Sequence, residues 1–164
     1  MEAAVRSAYH LVTGKELPDV NFKPARGLEG VKEAEVDFGV PIPNGSGTKI
    51  RIAVAHQMGN IAAVLEKIRA AAAAGKEPPY HFVEVMACRG GCIAGGGQPY
   101  GCTDVIRKQR TAGIYTDDEK SQFRCSHQNP FINQVYKEFL GEPGGHKAHE
   151  LLHTSYVERP LYLK

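Results

Sequence analysis

In His81-Phe-Val-Glu-Val-Met-Ala-Cys-Arg-Gly-Gly-Cys-Ile-Ala-Gly-Gly-Gly-Gln-Pro99 a short apolar strand runs directly into two cysteines and a run of glycines. Phe82, Val83, Val85 and Met86 put aromatic, β-branched or large apolar side chains on both faces of a strand-length segment. That is the pattern of a strand buried between layers of helix. Cys88 and Cys92 therefore fall just past a strand's C-terminal end. In open α/β sheets ligands are held at that edge, because the loops there converge beside the N-termini of the following helices.

Gly90, Gly91, Gly95, Gly96 and Gly97 place five glycines in eight positions, so the main chain can wrap closely round a bulky group. Two ligand classes suit such a loop. One is a phosphate; the other is an iron-sulfur centre ligated by thiolates, with amide N–H groups aimed at its anionic sulfurs. A phosphate loop carries Lys-Ser or Lys-Thr after its last glycine. Here Gln98-Pro99 stands there instead, which argues against a nucleotide. By spacing alone C-x3-C is less specific than the C-x2-C pairs of zinc ribbons, and two buried cysteines are the plain alternative.

The whole string is far more specific. Glu84-Val-Met-Ala-Cys88, Gly-Gly-Cys92 and Gly-Gly-Gly-Gln-Pro99 resemble, nearly residue for residue, the last cysteine motif of the iron-only ([FeFe]) hydrogenases. Met1-Glu-Ala-Ala-x-Arg-x-Ala-Tyr resembles the helix that follows a glycine pair in that family. Ser126-His-x-Asn-Pro130, Tyr136-x-Glu-Phe-Leu-Gly-Glu142 and His146-Lys-Ala-His-Glu-Leu-Leu-His-Thr154 resemble its C-terminal segment. The resemblance implies an α/β fold, a parallel sheet flanked by helices that forms one lobe of the catalytic domain, with C-terminal helices. Residues 1–142 would form the lobe and 143–164 a small-subunit-like helix and tail.

The resemblance also implies a cofactor. Cys88 matches a cysteine that ligates a [4Fe-4S] cubane. Cys92 matches one that ligates it too, its sulfur bridging to a two-iron unit with carbon monoxide and cyanide ligands; together these form the H-cluster. Met86 matches a residue packed against the two-iron unit, and the glycines and Gln98 form the loop that holds the cofactor. The implied activity is reversible oxidation of dihydrogen to protons and electrons. A cubane takes four cysteines, and the two earlier ones belong upstream of the segment matched here. The expectation is therefore one half of a split enzyme or a fragment, completed by a second chain that carries the N-terminal half of the domain. Maturation enzymes, and iron-sulfur or flavin subunits that carry electrons onward, are the further partners implied. Arg89 departs from the family, standing where proline or another small residue is usual and placing a cation beside a cluster ligand. Two related readings are a non-catalytic cytosolic iron-sulfur assembly or prelamin A recognition factor, and a hydrogen-sensing homologue.

Composition bounds the alternatives. The 164 residues suffice for one domain. With 20 basic and 18 acidic side chains the net charge is +2, which provides neither a nucleic-acid footprint nor a membrane-surface patch. Four cysteines and no signal peptide fit a reducing, cytoplasmic compartment. No apolar run reaches transmembrane length.

Working outward, Glu2 to Thr13 carries Ala4, Ala8, Leu11 and Val12 on one helical face, with Gly14 as C-cap. Residues 15–30, rich in proline and glycine, read as an irregular crossing segment. Period-two alternation of Ala34, Val36 and Phe38 predicts a strand over 31–38, and Lys49 to Ala55 a second one after the turn signal Asn44-Gly-Ser-Gly47. A helix follows from Asn60 as N-cap to Gly75, which completes a βαβ unit with the strand 81–86. Right-handed crossover then puts His56 and Met58 at the same sheet edge as Cys88. Beyond Pro99, helices are expected over 103–110, 117–123, 130–140 and 146–153, with Phe131, Val135, Phe139 and Leu140 as the buried face of the third. Residues 156–164 read as an extended tail.

Several residues admit a second chemistry. His146, His149 and His153 share one helical face as a transition-metal site would require, but no carboxylate or cysteine is placed to finish the set, and a solvated surface is the reading adopted. Cys102 and Cys125 could complete a four-cysteine set, but neither lies in a ligand motif, and both are read as ordinary thiols. Glu84, inside a strand, needs a partner such as Arg51 or a backbone amide. His56 is either a donor to the cluster or a group that satisfies strand carbonyls.

Overall fold

The computed structural model describes residues 1–21, 26–27, 29–42 and 47–158, which divide into two compact units, Met1–Arg124 and Cys125–Lys164. In the first unit the order is α1 (Glu2–Thr13), β1 (Val31–Asp37), β2 (Lys49–His56), α2 (Met58–Ala73), β3 (Phe82–Met86), a 3-10 turn (Gly91–Ala94) and α3 (Asp104–Lys120). The fold is α/β, as the sequence implies.

The three strands form one sheet in the order β1-β2-β3. β2 and β3 are parallel, with His56 opposite Met86, so the βαβ unit and its shared C-terminal edge are present. β1 runs antiparallel to β2, with Val31 opposite Ala55, so only part of the sheet is parallel. Residues 38–48 are too short a link for the crossover that a parallel β1 would need. The Asn44-to-Gly47 turn signal lies mostly outside the described residues.

β2 is the central strand, and Ile52 to His56 are all buried. On one sheet face Val5 of α1 packs with Val36, Phe38 and Ile52, and Tyr9 meets Phe38 edge-on with ring centroids 5.1 Å apart. On the other, Ile61 and Val64 of α2 pack against Ala55. β3 departs from the expectation of burial on both faces, since Phe82 and Val85 are about half exposed, at 51% and 54%. It is an edge strand, with only β2 beside it among the described residues. α2 starts two residues before the expected cap. Gln57 takes φ 67 as its N-cap, and the Asn60 amide instead reaches back to His56 O at 2.8 Å.

The two helices expected over 103–110 and 117–123 are one helix, α3. Thr103 caps it by accepting from Ile106 N–H at 3.3 Å, and Gly113 does not interrupt it, because one helical glycine costs only about 1 kcal/mol.

In the second unit a 3-10 turn (Ser126–Gln128) leads into α4 (Pro130–Val135), a π turn (Tyr136–Leu140) and α5 (His146–Leu152). Asn129 caps α4 by accepting from Phe131 N–H at 3.0 Å, with Pro130 at the first helical position as expected. Of the predicted buried face only Leu140 is buried; Phe131, Val135 and Phe139 are exposed. The π turn shifts the 3.6-residue phase after Val135, whereas Phe131 and Val135 keep helical spacing within α4 and share an exposed face. Of the expected tail, residues 159–164 lie outside the described residues. No helix among the described residues is long and apolar enough to cross a membrane.

Candidate metal centre

β3 ends at Met86, and two residues later Cys88 opens the loop. Gly91 N–H donates to Cys88 O at 3.0 Å, and the 3-10 turn that follows carries Cys92. Gly90 and Gly91 have φ of 82° and 73°, a region costly for any side chain. A Cβ on Gly91 would lie 2.4 Å from Met86 Sδ, so the methionine occupies the space that glycine leaves. Gly95 lies under Cys88, its Cβ position 3.6 Å from the sulfur, while the space over Gly96 and Gly97 is open.

Both thiols are free and exposed. The soft donors, their separation by one glycine-rich turn and the open space above the glycines suit two of the four thiolates a cubane takes. Gln98 is exposed, and it closes the turn by donating its backbone N–H to Gly95 O at 3.2 Å rather than through its amide.

α3 holds the loop at two points. Arg89 forms a bidentate pair with Asp104, at 3.0 and 2.9 Å. Arg89 and then Arg107 hold the Asp104 carboxyl down at about 2. Arg110 donates to Ile93 O at 2.7 Å and reaches Cys102 Sγ at 3.7 Å. No local signal in the sequence marks these contacts.

A cleft of about 300 Å³ adjoins the loop, lined by Met86, Gly90 and Ile93 on that side and by Lys32, His56 and Glu84 deeper in. Lys32, Val54 and Glu84 are register neighbours across the three strands. This row brings a cation and a carboxylate to one face of the sheet. Glu84 accepts from the Met1 amino group at 3.2 Å, not from Arg51, which the two-residue period puts on the opposite face and which donates to Pro78 O. Lys32 is buried, its ammonium donating to Gly27 O at 3.1 Å. Burial lowers its pKa, and the Glu84 charge partly opposes that. The alternation of Val36 and Ala34, carried back one step, would have placed Lys32 on the buried face.

His56 lies at the sheet edge shared with the loop, as expected, and is only 1% exposed. Its backbone N–H donates to Gly30 O at 2.8 Å, but its Nδ1 has no hydrogen-bond partner among the described residues. Burial, then the Lys32 cation, lowers its pKa. Met58 is exposed. Cys125 is buried and Cys102 half-buried. His146, His149 and His153 are exposed; the rings of the last two stack at 4.3 Å, and among the described residues no third ligand converges with them.

Known proteins resemble this chain in sequence and in fold. Residues 1–96 match the family model for the C-terminal domain of the iron-only hydrogenase large subunit, and residues 104–159 match that for the iron hydrogenase small subunit. The NADP-reducing hydrogenase subunit HndD of Solidesulfovibrio fructosivorans is 43% identical over 160 residues, which cover 97% of this chain and 25% of that one. A variant of the [FeFe]-hydrogenase HydA1 from Chlamydomonas reinhardtii superposes with a TM-score of 0.70 at 41% identity, over 94% of this chain and 43% of that one. The human nuclear prelamin A recognition factor is 36% identical over 110 residues, 65% of this chain and 22% of its own. The chain thus spans about a quarter of the length of these curated relatives. With the large-subunit match extending from α1 through both loop cysteines, the chain belongs to the iron-only hydrogenase family.

Proposed function

We propose that this chain supplies the C-terminal half of an [FeFe] hydrogenase catalytic domain, which interconverts dihydrogen with two protons and two electrons at an H-cluster. The observation that carries this reading is the pair of free, exposed thiols at the C-terminal end of β3, on the loop that matches the family motif. Cys88 would ligate the cubane alone, and Cys92 would ligate it and bridge to the two-iron unit. When bound, the H-cluster supplies the redox chemistry of dihydrogen.

The chain's own residues bind, orient and shield. Cys88 and Cys92 hold iron as thiolates, so their protons leave when the metal enters. Met86, packed on Gly91, sets an apolar wall beside Cys92. Arg89 brings a cation close to Cys88, but its pairing with Asp104 offsets most of that charge. Two thiolates are half the ligand set, so the others come from polypeptide beyond these residues, which we assign to a partner chain with the N-terminal half of the domain. The half-exposed Phe82 and Val85 of the edge strand support such a partner. The name of the subunit from S. fructosivorans supports further subunits that carry electrons onward. We take residues 1–142 as the lobe and 143–164 as its closing helix and tail, and cysteines held as thiols rather than disulfides support a cytoplasmic setting.

A non-catalytic iron-sulfur role is the second reading, favoured by the likeness to a probable cytosolic Fe-S cluster assembly factor of Drosophila virilis, 38% identical over 109 residues. That likeness covers 66% of the chain, against 97% for the hydrogenase subunit. The test is to purify this chain alone and with its genomic neighbour and the maturation enzymes, then to measure iron, infrared bands of bound carbon monoxide and cyanide, and dihydrogen turnover. Bands and turnover only in the assembled protein are expected. A cluster without those bands would support the second reading, and full activity of the lone chain would sink the partner assignment.

A further inference from the structure

The residue that follows each candidate ligand is tied to the same helix. Arg89, next after Cys88, pairs with Asp104 in the first turn of α3 at 3.0 and 2.9 Å. Ile93, next after Cys92, offers its carbonyl to Arg110 two turns further on, at 2.7 Å. Arg110 also reaches Pro99 O at 3.5 Å and Cys102 Sγ at 3.7 Å. One guanidinium therefore spans the start and the end of the glycine segment. The hydrogen bonds inside that segment, Gly95 N–H to Cys92 O and Gln98 N–H to Gly95 O, are long, at 3.4 and 3.2 Å. With three glycines and no apolar anchor of its own, the loop has large conformational entropy to lose, and Arg110 makes its shortest external contact.

We propose that Arg110 is a positioning residue for the cysteine loop, assisted by Asp104, and that α3 is the clamp fixing the two sulfurs relative to each other. α3 lies in the segment that matches the small-subunit family model, whereas both cysteines lie in the large-subunit match. The small-subunit segment thereby acts on the metal centre rather than only covering the lobe. The role in holding a cluster rests on the reading of Cys88 and Cys92 as ligands; the clamping of the loop does not. A planar fork is what the geometry uses, since two carbonyls and a sulfur are met from one side chain.

The experiment compares Arg110→Gln, Arg110→Lys and Asp104→Asn with Lys108→Gln in the assembled holoprotein. Lys108 is an exposed neighbour on α3. Two readouts are needed: amide hydrogen exchange of residues 89–98, and the rate of iron loss to a chelator with the electron paramagnetic resonance spectrum of the reduced cluster. Arg110→Gln should speed exchange at Ile93 to Gly97 at least about tenfold, the effect of about 1.4 kcal/mol on an opening equilibrium. It should also speed iron loss and shift the spectrum. Arg110→Lys should restore little of either, Asp104→Asn should show the smaller effect of an exposed pair, and Lys108→Gln none. Unchanged exchange in Arg110→Gln would overturn the clamp. Faster exchange with unchanged iron loss and spectrum would overturn its role in positioning the ligands. A wild-type protein with no cluster would refute the hydrogenase reading, and the exchange readout would still decide the clamp.

Discussion

Gly91→Ala tests whether the loop's shape is set by backbone geometry and by Met86 together. Gly91 has φ 73°, and an alanine there would carry a left-handed penalty of about 1–2 kcal/mol. Its Cβ would also lie 2.4 Å from Met86 Sδ. Met86 is flexible and can move, so this overpacking costs about 1 kcal/mol, the low end of such changes. The expected destabilisation is then about 2–3 kcal/mol. In a Met86→Ala background the steric part vanishes and the backbone part stays, so a double-mutant cycle should show a coupling of about 1 kcal/mol. Native-state amide exchange across residues 82–92 in the assembled protein reads both, because each 1.4 kcal/mol is about tenfold in the opening equilibrium. Because the displaced methionine borders the cleft beside the cysteine loop, iron content should fall in Gly91→Ala as well. A Gly91→Ala protein that exchanges like the wild type would refute the reasoning, and an equal penalty in both backgrounds would refute the packing of Met86 on Gly91.

Cys88→Ser and Cys92→Ser should each cost most of the bound iron in the assembled protein, while Cys102→Ser and Cys125→Ser should not; iron and sulfide analysis checks this, and a normal cluster in Cys92→Ser would overturn the ligand assignment. Iron retention should also weaken as pH falls, because protons compete with iron for thiolate. His56 has a folded pKa held below its ordinary value by burial, so the unfolded chain takes up its proton first as pH falls through about 6.5. Its contribution to stability is present above that pH and declines as pH falls towards the folded value; unfolding free energies across pH 5–7.5 should show a shallower slope in His56→Asn. Arg6 is 3% exposed and donates to Asp118, Glu2 and the Val20 and Arg124 carbonyls at 2.8 to 3.1 Å. Arg6→Ala should destabilise by about 3 kcal/mol. Arg6→Lys should recover little of this, since one ammonium cannot replace a fork. Arg6, with Arg124 beside it, holds the Asp118 carboxyl at about 2, so the stability that Asp118 adds should be present above about pH 4 and be lost in acid only as pH nears 2; equilibrium unfolding checks both.

Local features, set by residues close along the chain, are legible in it. The run from Phe82 to Met86 forms a strand, the glycines after Cys88 form a turn with two open thiols, Asn129 caps a helix, and the helical spacing of Ile61, Val64 and Ile68 lays α2 back against β2. These features depend on backbone preference and periodicity over a few residues. Long-range packing set the direction of β1, the exposure of β3 and the grip of Asp104 and Arg110 on the cysteine loop. It also set the surroundings of Glu84, because only the strand register places Lys32, Val54 and Glu84 in one row and turns Arg51 to the other face. Contacts between residues many positions apart have no periodic trace in the chain. They follow from register and packing, where a shift of a single residue would send every side chain of a strand to the opposite face.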